Sequence, residues 1–88
     1  MQLSEQIAFN IVREVNSVIP ININIMNAEG IIIASSNPTR IGRFHEAAYR
    51  IISDKIDELT VRYDGEFEGA LKGINYSLKL QDLIVGVL

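Results

Sequence analysis

The chain of 88 residues contains no cysteine. Disulfides, thiolate metal sites and cysteine nucleophiles are therefore excluded. It has a single histidine, His45, so a multi-histidine metal centre cannot form within one chain. No apolar run approaches the roughly 20 residues that a membrane-spanning helix requires. The first residues, MQLSEQIAFNIVREV, lack a basic leader and break their apolar positions with charges, so they do not read as a signal peptide. The expectation is a cytoplasmic protein without membrane contact. Nucleophile motifs, phosphate loops and metal constellations are missing as well, so neither catalysis nor a cofactor is expected. The turn at Asp64-Gly65-Glu66 carries two carboxylates, but nothing near it in sequence would shift their pKa, and it reads as a turn only.

Positive charge is also scarce. The formal net charge is −3, which argues against nucleic acid as the partner. Its distribution is uneven. Gly30 to His45 holds two arginines and no acid, and Gly69 to Leu80 holds two lysines and no acid. The acids gather at Asp54, Asp57, Glu58, Asp64, Glu66 and Glu68. Such an arrangement either attracts a small anion to one place or reflects ordinary scatter on solvated faces. With 48% hydrophobic and 22% charged residues the chain is globular rather than disordered. Its length means one domain, spanning residues 1–88, with a limited core. The terminal LIVGVL reads as a strand cut short, so a longer parent protein is expected.

Leu3, Ile7, Ile11, Val15 and Val18 recur at helical spacing, which predicts an amphipathic helix from Ser4 to Ile19 with Ser4 as N-cap and Pro20 as stop. The stripe is broad enough to cover a sheet and to pair with a second copy of itself. Ile21 to Ile25 alternates isoleucine with asparagine, the period of a strand. Asn27 to Gly30 makes a tight connection into a second strand, Ile31 to Ala34. Asn37 and Pro38 start one short turn, and a longer helix is expected from about Arg43 to Asp57. A third strand follows at Leu59 to Arg62. The segment from Phe67 to Lys72 fits either a helical turn or a loop. A strand opens at Gly73, Gln81-Asp82 turns the chain, and Leu83 to Leu88 forms the last strand. Being apolar on both sides, that strand should be central, between the first and the fourth. The order predicts an α+β domain with an antiparallel sheet of about five strands, an N-terminal helix and a second helix after the first hairpin. PAS-like and profilin-like sensor folds have this shape.

The candidate site is the loop Ser35 to His45. Backbone N–H groups of Gly42 to His45 at a helix start would favour an anion. Arg40 offers a forked donor suited to a carboxylate. Ser35 and Ser36 offer hydroxyls for a sugar-derived ligand, and Gly42 permits close approach to the backbone. The competing reading is an ordinary capping loop with solvated arginines. His45 either donates to a ligand or sits at the surface or a cap. Asn75 either lines a cavity or faces solvent. Asn22 and Asn24 read as a solvated sheet face, and Lys72 and Lys79 as surface lysines.

Five pieces carry a family resemblance: NIMNAEG from Asn24, RIG from Arg40, HEA from His45, GIN from Gly73 and IVGV from Ile84. In this order and spacing, the chain resembles the sugar diacid recognition domain, the N-terminal sensory domain of carbohydrate diacid regulators, a family of bacterial transcription factors. Tyr76-Ser77 departs from the family's Leu-Pro. The resemblance implies binding of a small hydroxylated carboxylate of the glycerate, glucarate or galactarate type. It implies Arg40, Gly42, His45 and Asn75 as contacts, with Ser35 and Ser36 matched more loosely. It also implies a C-terminal DNA-binding region absent from this chain, which should therefore sense without touching DNA. A homodimer is expected, since a sensor transmits through one. The alternative function is a profilin-like dimerisation module with no small-molecule ligand.

Overall fold

The computed structural model describes residues 4–80 and 83–87, with side chains as far as Leu78. It is an α+β structure with two α-helices and one 3-10 turn among the described residues. The first helix, α1, spans Glu5–Val18. Its start is set by Ser4, whose hydroxyl accepts the Ile7 N–H at 3.1 Å. Ala8 and Val12 are its buried positions, with Ile11 and Val15 beside them, and they pack against Ile23, Ile25, Ile33 and Ala34.

The first hairpin joins β1 (Asn24–Met26) to β2 (Ile32–Ser35). Gly30 turns it with a φ of 79°. The strand begins three residues later than the alternation predicts. The reason lies in side chains that take over from the ladder. Asn16 Nδ2 donates to the Ile21 carbonyl at 2.8 Å, and Ser36 Oγ accepts the Ile23 N–H at 3.0 Å. Ser36 also donates to Asn16 Oδ1 at 2.7 Å, so one knot ties the end of α1 to both strands.

The second helix, α2, spans Glu46–Asp54 and is shorter at both ends than the expected Arg43 to Asp57. Residues 43–45 run extended beside the hairpin instead: Arg43 accepts from the Ile32 N–H, Phe44 bridges Ile31, and the His45 N–H donates to Gly30. Lys55, at φ 55°, closes the helix in a left-handed conformation. Ala48 and Ile51 of α2 pack on Met26 and Ile32, so the two helices bury different residues of the same hairpin.

The remaining strands are β3 (Glu58–Val61), β4 (Gly73–Leu80) and β5 (Leu83–Val87). All pairings are antiparallel, and the order β2-β1-β5-β4-β3 puts β5 between β1 and β4, as its apolar character predicts. The join between β1 and β5 rests on one described pair, Met26 with Val87. The expected turn at Gln81-Asp82, the Lys79 side chain and the two-sided cover of β5 lie outside the described residues.

Residues 62–72, between β3 and β4, form neither strand nor helix but a strap of turns. Arg62 donates to both Glu66 oxygens, through its backbone N–H and its Nε, each at 2.7 Å. Asp64 Oδ1 accepts the Lys72 N–H at 2.7 Å. The guanidinium of Arg62 holds the Glu66 carboxyl below its ordinary value, which corrects the expectation that nothing stands near this turn. Both carboxylates shape the strap.

Candidate functional site

A cavity of about 370 Å³ opens between the entry to β1, the end of β2, the 3-10 turn and the strap. That volume lies in the range of ~300–1,000 Å³ typical of small-molecule sites. Its charged lining is cationic: Arg40 and Lys72 contribute, and no aspartate or glutamate lines it among the described residues. Amides from Asn22, Asn24, Asn37 and Asn75 surround these charges, with the Ser35 and Ser36 hydroxyls and the His45 ring. Leu71, Ile74 and Tyr76 supply apolar wall. Cations, amides and hydroxyls without carboxylates suit an anion that also carries hydroxyl groups.

Arg40 ends the 3-10 turn Pro38–Arg40. Asn37 caps that turn, its Oδ1 accepting the Thr39 N–H at 3.2 Å. The Arg40 guanidinium then reaches across to donate to the Gly69 carbonyl on the strap. One of its five N–H donors is thereby fixed, and the planar fork is held beside the cavity. Burial, then the neighbouring Arg43 charge, lowers its pKa, while Asp64 opposes them. The group stays cationic at neutral pH because an arginine starts so high.

His45 is the N-cap of α2, and Ala48 donates its N–H to His45 Nδ1 at 3.2 Å. The residue is only 3% exposed. Burial first, and the Arg40 charge second, push its pKa down to about 4. The consequence for stability has a definite sign. The unfolded histidine titrates near its ordinary value of about 6.5, so below that pH the unfolded chain binds a proton that the folded chain refuses. Stability is therefore intact above about pH 6.5 and is lost as pH falls towards 4. Between pH 7 and pH 4.5, wild type should lose more stability in urea melts than His45→Asn, by on the order of 2 kcal/mol. Equal losses in the two proteins would refute the buried neutral ring.

Asn75, on β4, is buried at 8% exposure and faces the same cavity. Asn22, Asn24 and Lys72 line it too; Asn22 and Lys72 are exposed, as the solvated reading expects, and Asn24 is half-buried. The alternation of isoleucine and asparagine was the available signal; what it could not show is that Ser35 donates to Asn24 Oδ1 across the hairpin. Ser35 and Ser36 line the cavity while doing structural work, Ser35 also accepting the Asn37 N–H and Ser36 holding the Asn16 knot. Gly42 is not brought to the cavity lining. Its N–H donates to the Ile32 carbonyl at 2.8 Å, and those of Arg43 and His45 go to Arg40 and Gly30. Three of the four N–H groups expected to be vacant from Gly42 to His45, all but that of Phe44, are thus occupied by backbone carbonyls, and the cationic side chains are the main anion-attracting groups.

The strap was not anticipated as part of the site. It clasps the start of α2 through two bonds, Glu46 N–H to the Glu68 carbonyl and Glu68 N–H to Glu46 Oε1, both 2.8 Å. Its Leu71 and Lys72 complete the cavity wall.

Comparison with known proteins gives a consistent picture. The sugar diacid recognition family matches residues 3–88. The carbohydrate diacid regulator of Escherichia coli (strain K12) is 38% identical over 90 residues, covering 98% of this chain. The chain spans 23% of that protein's length. No solved structure matches.

Proposed function

The chain belongs to the sugar diacid recognition family, and from that premise we propose that it is the ligand-sensing domain of a transcriptional regulator, binding a small hydroxylated carboxylate in the cavity beside Arg40. The observation that carries this reading is the lining: two cations, Arg40 and Lys72, amid amides and hydroxyls, with no carboxylate among the described lining residues. A carboxylate entering there meets charge-assisted donors, and its hydroxyls meet groups that both give and accept hydrogen bonds. The related Escherichia coli protein is named a carbohydrate diacid regulator, which favours the same class of ligand. Glycerate, glucarate and galactarate are the acids to test. The proposal includes a PAS-like or profilin-like sheet as the scaffold, a cytoplasmic setting, and DNA contact left to another part of the parent protein.

Binding to the folded state raises the melting temperature. At a hundred times Kd a ligand adds about 2.7 kcal/mol, which for a domain of this size is about 10 °C or more. At least one of the three acids should give a shift that grows with its concentration. A protein indifferent to all of them up to millimolar concentration would overturn the ligand class. A second reading, a dimerisation module, is favoured by one observation: Ile7, Phe9 and Val18 of α1 are exposed by half or more. The two readings are compatible, because a homodimer through α1 would leave the cavity open.

A further inference from the structure

We infer that His45 has two assigned nitrogens: Nδ1 holds the start of α2, and Nε2 is thereby fixed as a neutral N–H donor that reads a hydroxyl of the ligand. The inference rests on the ligand reading above and adds a specificity determinant to it.

The first half follows from the cap. Nδ1 accepts the Ala48 N–H at 3.2 Å, so it carries a lone pair and not a proton. A neutral ring then has its proton on Nε2. Putting a proton on Nδ1 would set two donors against each other, and Ala48 is fully buried, so its N–H has no water to turn to. The lock is therefore geometric.

The second half follows from the surroundings. The ring lines the cavity, and with Nδ1 engaged, Nε2 is the nitrogen left for a ligand. Of the charged groups nearby, Arg40 acts on the ring directly, while Asp64, whose carboxylate accepts the Lys72 N–H, acts on Arg40 in the opposite sense. Arg40 on the 3-10 turn and Lys72 on the strap are cations of the same cavity, and Arg43 precedes it in the chain. Glu46, next on α2, has its carboxylate occupied by the Glu68 N–H and by Arg50. The β1 and β4 walls offer the uncharged Asn24 and Asn75. A third positive charge is disfavoured here, and the two cations are the better partners for carboxylates. What a neutral N–H donor discriminates is a neutral oxygen, because a ligand lacking it leaves a buried donor unmatched.

The test uses glucarate and adipate, six-carbon diacids with and without hydroxyls, titrated into the protein by calorimetry. His45→Asn keeps an acceptor at the cap position, since asparagine is a good N-cap, and removes the Nε2 donor. It should melt above His45→Ala. Its affinity for glucarate should fall about tenfold while that for adipate is unchanged. In parallel, nitrogen NMR of wild type should show the Nε2–H tautomer from pH 8 to pH 5.5, with or without glucarate. An equal loss for both acids, or no loss, overturns the hydroxyl assignment. An Nδ1–H tautomer, or a ring that titrates near pH 6.5, overturns the lock. If wild type binds neither acid, the ligand class and the donor role fall together, while the tautomer spectrum of the free protein still decides the lock.

Discussion

Arg40→Ala should weaken binding of glucarate by about a hundredfold while lowering the melting temperature by only a few degrees. The asymmetry follows from where the side chain spends its hydrogen bonds. One donor goes to the Gly69 carbonyl, a contact at the edge of the strap whose removal costs about 1 kcal/mol. The rest of the fork serves the cavity, where a charge-assisted bond to a carboxylate is worth about 1.5–3 kcal/mol, or roughly 10- to 150-fold in affinity. Arg40→Lys keeps the charge but loses the fork, so it should fall between wild type and Arg40→Ala. Calorimetric titration of the three proteins measures the series. Unaltered affinity in Arg40→Ala would place the carboxylate elsewhere and remove the physical basis of the proposed site.

The largest stability effect is expected at Gly69. A methyl group there would stand 2.0 Å from the Phe44 carbonyl oxygen, with the φ of +72° adding strain for any L side chain. The obstacle is backbone, held by the extended segment that leads into α2, and it cannot swing aside. The strap must lift. Both Glu46–Glu68 bonds and the Arg40 anchor would go with it. Steric and conformational costs together come to about 2–5 kcal/mol, a fall of about 10 °C or more for a domain of this length. Gly42→Ala is the control. Its φ is +92°, but nothing lies within 4 Å of the added carbon, so only the conformational cost of about 1 kcal/mol applies. Thermal melts of the two variants should differ plainly. A Gly69→Ala protein no less stable than Gly42→Ala would show that the strap does not pack against α2.

Much of the frame was readable from residue order. The apolar stripe and Ser4 define α1, the isoleucine–asparagine alternation marks β1, and Asn37-Pro38 starts the 3-10 turn. Each is a local signal, decided by groups within a few residues. An apolar final run was expected to lie between the first and fourth strands, and the strand order has β5 between β1 and β4. Errors arose where a distant partner outbid a local preference. Residues 43–45 have helical company on their C-terminal side, yet the β1–β2 hairpin captures them as extended chain. Residues 21–23 alternate as a strand should, yet Asn16 and Ser36 take their backbone groups.

The same division holds for the cavity. Arg40, His45 and Asn75 were identifiable as polar residues in suggestive company, and all three line the cavity. Their convergence was not identifiable, because it depends on the strap. Nothing in the sequence between Arg62 and Lys72 announces that Gly69 must touch Phe44 or that Glu46 will clasp Glu68 across 22 positions. Nor does a helix-start pattern reveal that the N–H groups of Gly42, Arg43 and His45 are already taken. Sequence by itself determined roughly where the main helices and strands lie and which side chains carry charge, since those are largely properties of neighbours along the chain. The tertiary structure alone decided which charges share a hollow, since that depends on contacts between residues that the chain keeps far apart.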